Sequence, residues 1–209
     1  MTRWYNPEAF RVDDAGQLGG LIRNTVFGTL LSNGDAGPLA SHVPFLFDRA
    51  AGTLGTLRVH LARANEHWEA LEDQPVLAIF HGPHHYVTPS WYASKADHGK
   101  VVPTWNYVVV HARGRARVHH DRDRLRALVE ALTNQMESAR SAPWRVDAAP
   151  ADYVERMVDQ IVGVDVEIER LEGKFKLGQN RPAADRATLA QGLEREQPDV
   201  WRVLEALLR

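Results

Sequence analysis

Cysteine is absent from this 209-residue chain. That excludes disulfides, thiolate metal sites and a cysteine nucleophile, and it fits a cytoplasmic location. Long apolar runs are missing too. The opening MTRWYNPEAF holds no signal core, and nothing approaches the roughly 20 residues of a membrane helix. Charge of one sign is also lacking. Lys and Arg number 25 against 27 Asp and Glu, a net charge of -2, so no global field draws the chain to nucleic acid or an acidic membrane. No HExxH, Walker-A spacing or strand–GxGxxG–helix context occurs. The ten histidines form no tight ligand cluster, so no metal site is expected, and no catalytic constellation stands out.

What is present is ordinary in proportion. Hydrophobic residues make up 44% and charged residues 25%, which suits one domain over residues 1–209 with a helical tail from about 183. Strands are expected at Val26–Leu31, Leu39–Phe47, Leu54–His60, Val76–His81, Val108–Val118 and Gly163–Leu171; the last two alternate cleanly, and Val76–His81 is nearly continuously apolar, as in a strand buried on both faces. Gly82-Pro83 is expected to break the fourth of them. Helical spacing predicts helices at Asp13–Asn24, Ala62–Leu71, Arg122–Gln135 and Ala151–Ile161, with more after Pro182 and Pro198. Strands cluster without regular βαβ alternation. The expected class is therefore β-rich α+β, an antiparallel barrel or sheet with peripheral helices.

Tyr86–His111 concentrates Trp91, Trp105, Tyr86, Tyr92 and Tyr107 beside Lys, Ser, Thr and Asn. Aromatic walls with cationic and hydroxyl groups suit a flat ring joined to an anion. Each candidate also has a plainer reading. Arg63 and Asn65, after His60, fall at an expected helix start, where free N–H groups favour a phosphate; the alternative is a cap with a solvated arginine. Lys95 reaches a phosphate or stays in solvent. Asn106, between Trp105 and Tyr107, bonds a ring edge or merely turns the chain. Lys174, Lys176, Gln179 and Arg181 close a site or form a polar turn. His84 and His85 point in opposite directions if extended. The stripe Arg113, Arg115, Arg117 is better matched by Asp165, Glu167 and Glu169 on a neighbouring strand than by nucleic acid.

Six stretches carry a resemblance spread in order over nearly the whole chain: WYNPEAF at 4–10, GPLASHVPF at 37–45, HLARAN at 60–65, YVTPSW at 86–91, GKVVPTWNY at 99–107, and EGK through QNRP at 172–182. Together they resemble the FMN-binding negative transcriptional regulators, or PaiB-like proteins. Gly178 stands where the family suggests Ser, and Glu66 where it suggests Pro. The resemblance implies an antiparallel split β-barrel like that of pyridoxamine-phosphate oxidases, usually a homodimer with FMN at the subunit interface. It places Ser41 and His42 along the flavin, His60, Arg63 and Asn65 around the phosphate, Trp105 and Asn106 near the ring, and Lys174 and Gln179 in the last segment. It also implies a repressor of transcription, although no basic element supports direct DNA binding. A flavin-dependent oxidoreductase of small molecules and a flavin-free interaction module are the alternatives.

Overall fold

The computed structural model describes residues 4–208. In chain order the strands are β1 (Arg11–Val12), β2 (Phe27–Gly34), β3 (Gly37–Pro44), β4 (Leu46–Asp48), β5 (Thr56–Ala62), β6 (Pro75–Val87), β7 (Thr104–His119) and β8 (Ile161–Lys176). The helices are α1 (Ala15–Thr25), α2 (Ser94–Asp97), α3 (Arg122–Glu137), α4 (Ala151–Val158), α5 (Ala183–Glu196) and α6 (Pro198–Leu208). One antiparallel sheet runs in the order β3-β2-β6-β7-β8-β5-β4, with β1 added on β8. The chain divides into two compact units, and β6, β7 and β8 each pass from one into the other.

The larger unit holds Asp14–Phe80 and His111–Leu171. Asp14 caps α1 by accepting from the Gln17 backbone N–H, and Leu18, Leu21 and Ile22 form the buried face. The β2–β3 hairpin sets Leu30 opposite Ser41 and Thr29 opposite His42. On the other side β5 pairs with β8, Val59 opposite Val164. Asp121 caps α3. Leu125 on α3 packs with Val146, Val154 and Val158.

Several expectations change here. The segment Ala62–Leu71 is not a helix. β5 continues through Ala62, and only a five-residue 3₁₀ turn, Glu66–Ala70, follows. The predicted strand Leu39–Phe47 divides into β3 and β4. Gly82-Pro83 does not end β6, which runs on to Val87. The interruption is one of phase. Val76, Ala78 and Phe80 are buried before it, His85 and Val87 after it. The arginine stripe is neutralised chiefly by the turn before β6. Arg115 donates to the Asp73 carbonyl at 2.6 Å, and Arg117 meets Asp73 at 3.1 Å. Glu169 lies 3.9 Å from Arg115, while Asp165 pairs with Arg124.

The smaller unit comprises the described residues up to Asp13, His81–Val110, and those from Glu172 onward. In the helical segment after Pro182, α5 is bonded along its length to residues 91–94. Asp185, buried, accepts from Ser94 N at 2.9 Å and Ser94 Oγ at 2.8 Å. These bonds hold its carboxyl below the ordinary range. Thr188 accepts from Ala93 N. Trp91 donates its indole N–H to Glu196 at 3.0 Å. Arg181 lies 4.7 Å above the Tyr92 ring. Trp91 and Tyr92 are therefore core residues, 8% and 4% exposed, rather than walls for a ligand.

Gly192 lets α5 approach this closely. A Cβ there would meet Trp91 ring atoms at 2.6–2.8 Å. Alanine gains about 1 kcal/mol of helix propensity over glycine, but overpacking costs about 1–3 kcal/mol. Trp91 is tethered by its bond to Glu196 and yields little. Gly192→Ala is expected to lose about 1–2 kcal/mol in urea unfolding; an increase in stability would show that α5 is not seated on Trp91.

Candidate functional site

A strand turns successive side chains to opposite faces, and in the smaller unit this rule sorts the candidates. His84, Tyr86 and Trp105 form an outer group, with Trp105 5.9 Å from the His84 ring and 6.2 Å from the Tyr86 ring. Trp105 is 53% exposed. Lys176, from β8, donates to the Trp105 carbonyl at 2.8 Å and to Thr104 Oγ1 at 2.5 Å. Burial lowers its pKa, and the nearby cations Lys174 and Arg181 lower it further. Lys176 is thus a cation among cations beside an open aromatic face.

Lys174 is buried and already occupied. Its ammonium donates to the Tyr5 carbonyl at 2.9 Å and lies 4.9 Å from the Tyr5 ring, 5.6 Å from Tyr107 and 5.8 Å from Trp4. It pins the N-terminal segment to β8.

The inner group is His85, Asn106 and Leu177. With Gln179 and residues of α5 and α6, they line a cavity of about 310 Å³. Trp105 and Asn106, expected together at one ring, therefore stand on opposite faces. Gln179 spends its side chain on its own turn, accepting from Leu177 N at 2.8 Å and donating to the Phe175 carbonyl.

In the larger unit, four polar side chains converge. Asn65 donates to Ser41 Oγ at 3.1 Å and caps the 3₁₀ turn by accepting from His67 N. Ser41 Oγ lies 2.8 Å from His67 Nδ1, and Ser32 Oγ lies 2.9 Å from His67 Nε2. His67 is 5% exposed, and burial lowers its pKa. This ring joins β2, β3 and the turn. Sequence reasoning passed over it because no local pattern marks a histidine whose partners are 26 and 35 residues away. His42 faces outward and meets Thr29 Oγ1 at 3.0 Å. His60 has a buried Nδ1 with no partner among the described residues, and burial lowers its pKa.

Arg63 has a different employment from the one expected. Its Nε donates to the Asp159 carbonyl at 2.8 Å and its Nη2 to the Ile161 carbonyl at 3.0 Å. No α-helix starts beside it, so the dipole argument for a phosphate lapses. Lys95 is exposed and donates to Ser90 Oγ at 3.2 Å. The structure thus groups Ser41 with Asn65 and Asn106 with Gln179. Trp105, expected near Asn106, stands instead beside Lys176. His85 was legible as the strand neighbour of His84, but its burial was not, and Lys176, read as part of a site-closing segment or polar turn, lies instead at the end of β8.

The family described as "Putative FMN-binding domain" matches residues 4–170. A Bacillus subtilis protein named protease synthase and sporulation protein PAI 2 is 31% identical, over 97% of this chain and 96% of its own length. An Emericella nidulans protein is 34% identical over 90% of each chain. Among solved structures, a FAD- and heme-binding protein from Mycobacterium smegmatis superposes with a TM-score of 0.60 at 17% identity, covering 85% of this chain and 78% of that one. A flavocytochrome from Azotobacter vinelandii gives 0.59 at 15% identity, covering 79% and 69%. The fold is the antiparallel split β-barrel with peripheral helices expected from the sequence.

His85 gives this unit an acid sensitivity. It is 2% exposed. Burial, helped by the neighbouring His84, pushes its pKa from 6.5 down to about 4. A histidine depressed in the folded state stabilises fully above its unfolded value and loses that contribution as pH falls through the folded one. His60 and His67 shift the same way. Stability should therefore fall between pH 6.5 and 4, with up to about 3 kcal/mol traceable to His85 at ~1.4 kcal/mol per pKa unit. Urea melts across this range, comparing wild type with His85→Leu, check it: the variant should lose less, and parallel curves would contradict the assignment.

Proposed function

The chain belongs to the FMN-binding domain family and FMN, or a related flavin, is its cofactor; from that premise we propose a homodimeric regulatory flavoprotein whose flavin ring lies on the aromatic face of Trp105. The observation that carries this reading is the exposed Trp105 ring beside Tyr86 and His84, with the Lys176 ammonium bonded at the same backbone position. A flat π-surface with an adjacent cation that lacks a carboxylate partner among the described residues fits an aromatic, anionic ligand. Bound FMN supplies reversible redox chemistry at its ring. Trp105 stacks, and Lys176 offers charge to an anionic group. Arg63 is left out of this assignment because its guanidinium already holds two carbonyls. Ser41 and Asn65 likewise serve each other and His67.

A homodimer is supported by the same face. Tyr86 is 46%, Val102 64% and Trp105 53% exposed, and apolar surface of this kind calls for cover. On helix α6, Leu204 is buried within its own chain while Val203 is 50% exposed. A regulatory role is favoured by the Bacillus subtilis relative, whose name attaches to protease synthesis and sporulation.

Flavin fluorescence titration tests the site. Trp105→Ala should weaken FMN and riboflavin alike. Lys176→Met should weaken FMN by about 1.5–3 kcal/mol, the scale of a charged hydrogen bond. Arg63→Ala should lower the thermal midpoint while leaving the FMN affinity of the folded protein within about twofold, since the arginine is held by two backbone carbonyls. Unchanged FMN affinity in Trp105→Ala would remove the ring from this face. A monomer mass in light scattering would reject the dimer, and steady NADH turnover by the FMN-loaded protein would move the reading to an oxidoreductase.

A further inference from the structure

The cavity behind Asn106 lies wholly within the smaller unit. Strands β6 and β7 give it His85 and Asn106, α5 gives Leu189 and Leu193, and α6 gives Trp201 and Leu204. Its volume is about 310 Å³, twice the roughly 150 Å³ at which a dry apolar cavity already takes benzene. The helices that close it follow residue 170, where the FMN-binding domain match ends. Alternation along β7 also puts it on the side of the strand opposite Trp105. It is therefore separate from the proposed ring site, and the argument for it does not rest on that site.

One residue in its wall is unexplained by packing. His85 is 98% removed from solvent, yet neither ring nitrogen has a hydrogen-bond partner among the described residues. Leaving such a group unsatisfied costs about 1–3 kcal/mol per missing bond, and a histidine serving only as core filling would be better replaced by leucine. Asn106, 3% exposed, adds a second polar side chain to the same wall. The neutral ring has one N–H to donate and one nitrogen to accept. A hydroxyl or a ring N–H on an otherwise apolar guest answers it. A carboxylate does not, since burial works against the imidazolium that would balance its charge.

We propose that this cavity is a second binding site, for a small uncharged bicyclic aromatic molecule that carries one hydroxyl or N–H directed at His85. The leucines and Trp201 supply the apolar walls, and His85 selects for the polar atom. Arg186, an exposed residue that also lines the cavity, donates to the Gln179 carbonyl at 3.4 Å.

Calorimetric titration of the FMN-loaded full chain with 2-naphthol, naphthalene and 2-naphthoate tests this. 2-Naphthol is expected to bind at least about tenfold more tightly than either analogue, the scale of one buried hydrogen bond. In His85→Leu, 2-naphthol and naphthalene should bind within about twofold of one another, since the selecting group is gone. In Ala190→Trp, which fills the cavity from α5, 2-naphthol affinity should drop at least about tenfold while FMN affinity stays within about twofold. If His85→Leu does not fold, Ala190→Trp and the three-ligand comparison decide alone. Preference for 2-naphthoate, binding of none of the three, or unchanged binding in Ala190→Trp would each overturn the proposal. The last two would leave His85 with buried water as its partner.

Discussion

Alternation of side chains along β7, and along β6 on either side of Gly82-Pro83, is the constraint on which the chemistry of the smaller unit depends. Neighbours in sequence become residents of different environments. His84 touches the exposed Trp105 ring, and His85 is enclosed behind it. Trp105 opens to solvent while Asn106 faces a cavity. One ribbon thus serves an aromatic outer face and a largely apolar inner one, and neither can shift register without exchanging both. The phase change at Gly82-Pro83 matters for the same reason. It re-aims the side chains of β6 between Phe80 and His85 without ending the strand.

Buried polar groups divide sharply by satisfaction. Imidazole, hydroxyl and amide in the His67 cluster complete one another's bonds across β2, β3 and the turn that Asn65 caps. Such a closed network fixes the relative positions of three segments and leaves nothing over for a ligand. His85 has the same burial and the opposite condition. The difference separates a histidine that organises the fold from one that waits for a guest.

Long cationic side chains follow a similar division. Lys174 and Arg63 are consumed by backbone carbonyls, one fastening the N-terminal segment and the other the approach to β8. Asp73 and Glu72 take up much of the arginine stripe of β7. Lys176 also bonds a carbonyl, but its charged neighbours are cations. That imbalance, more than the mere presence of a lysine, marks it as a partner for an anion.

The sequence by itself determined the strands and helices with strong periodicity and the family resemblance. These depend on residues close together in the chain, or on ordered motifs along it. The opposite directions of His84 and His85 were legible on the same ground. Tertiary structure alone decided which side of each strand is covered. It turned Trp91 and Tyr92 into core by seating α5 on them, and the helical segment after Pro182 into a cavity wall. It spent Arg63 on carbonyls 96 and 98 residues away, and it joined His67 to Ser32 and Ser41. Local pattern gives the direction of a side chain relative to its own strand. What lies in that direction is supplied by segments distant in sequence, and only the packed chain brings them there.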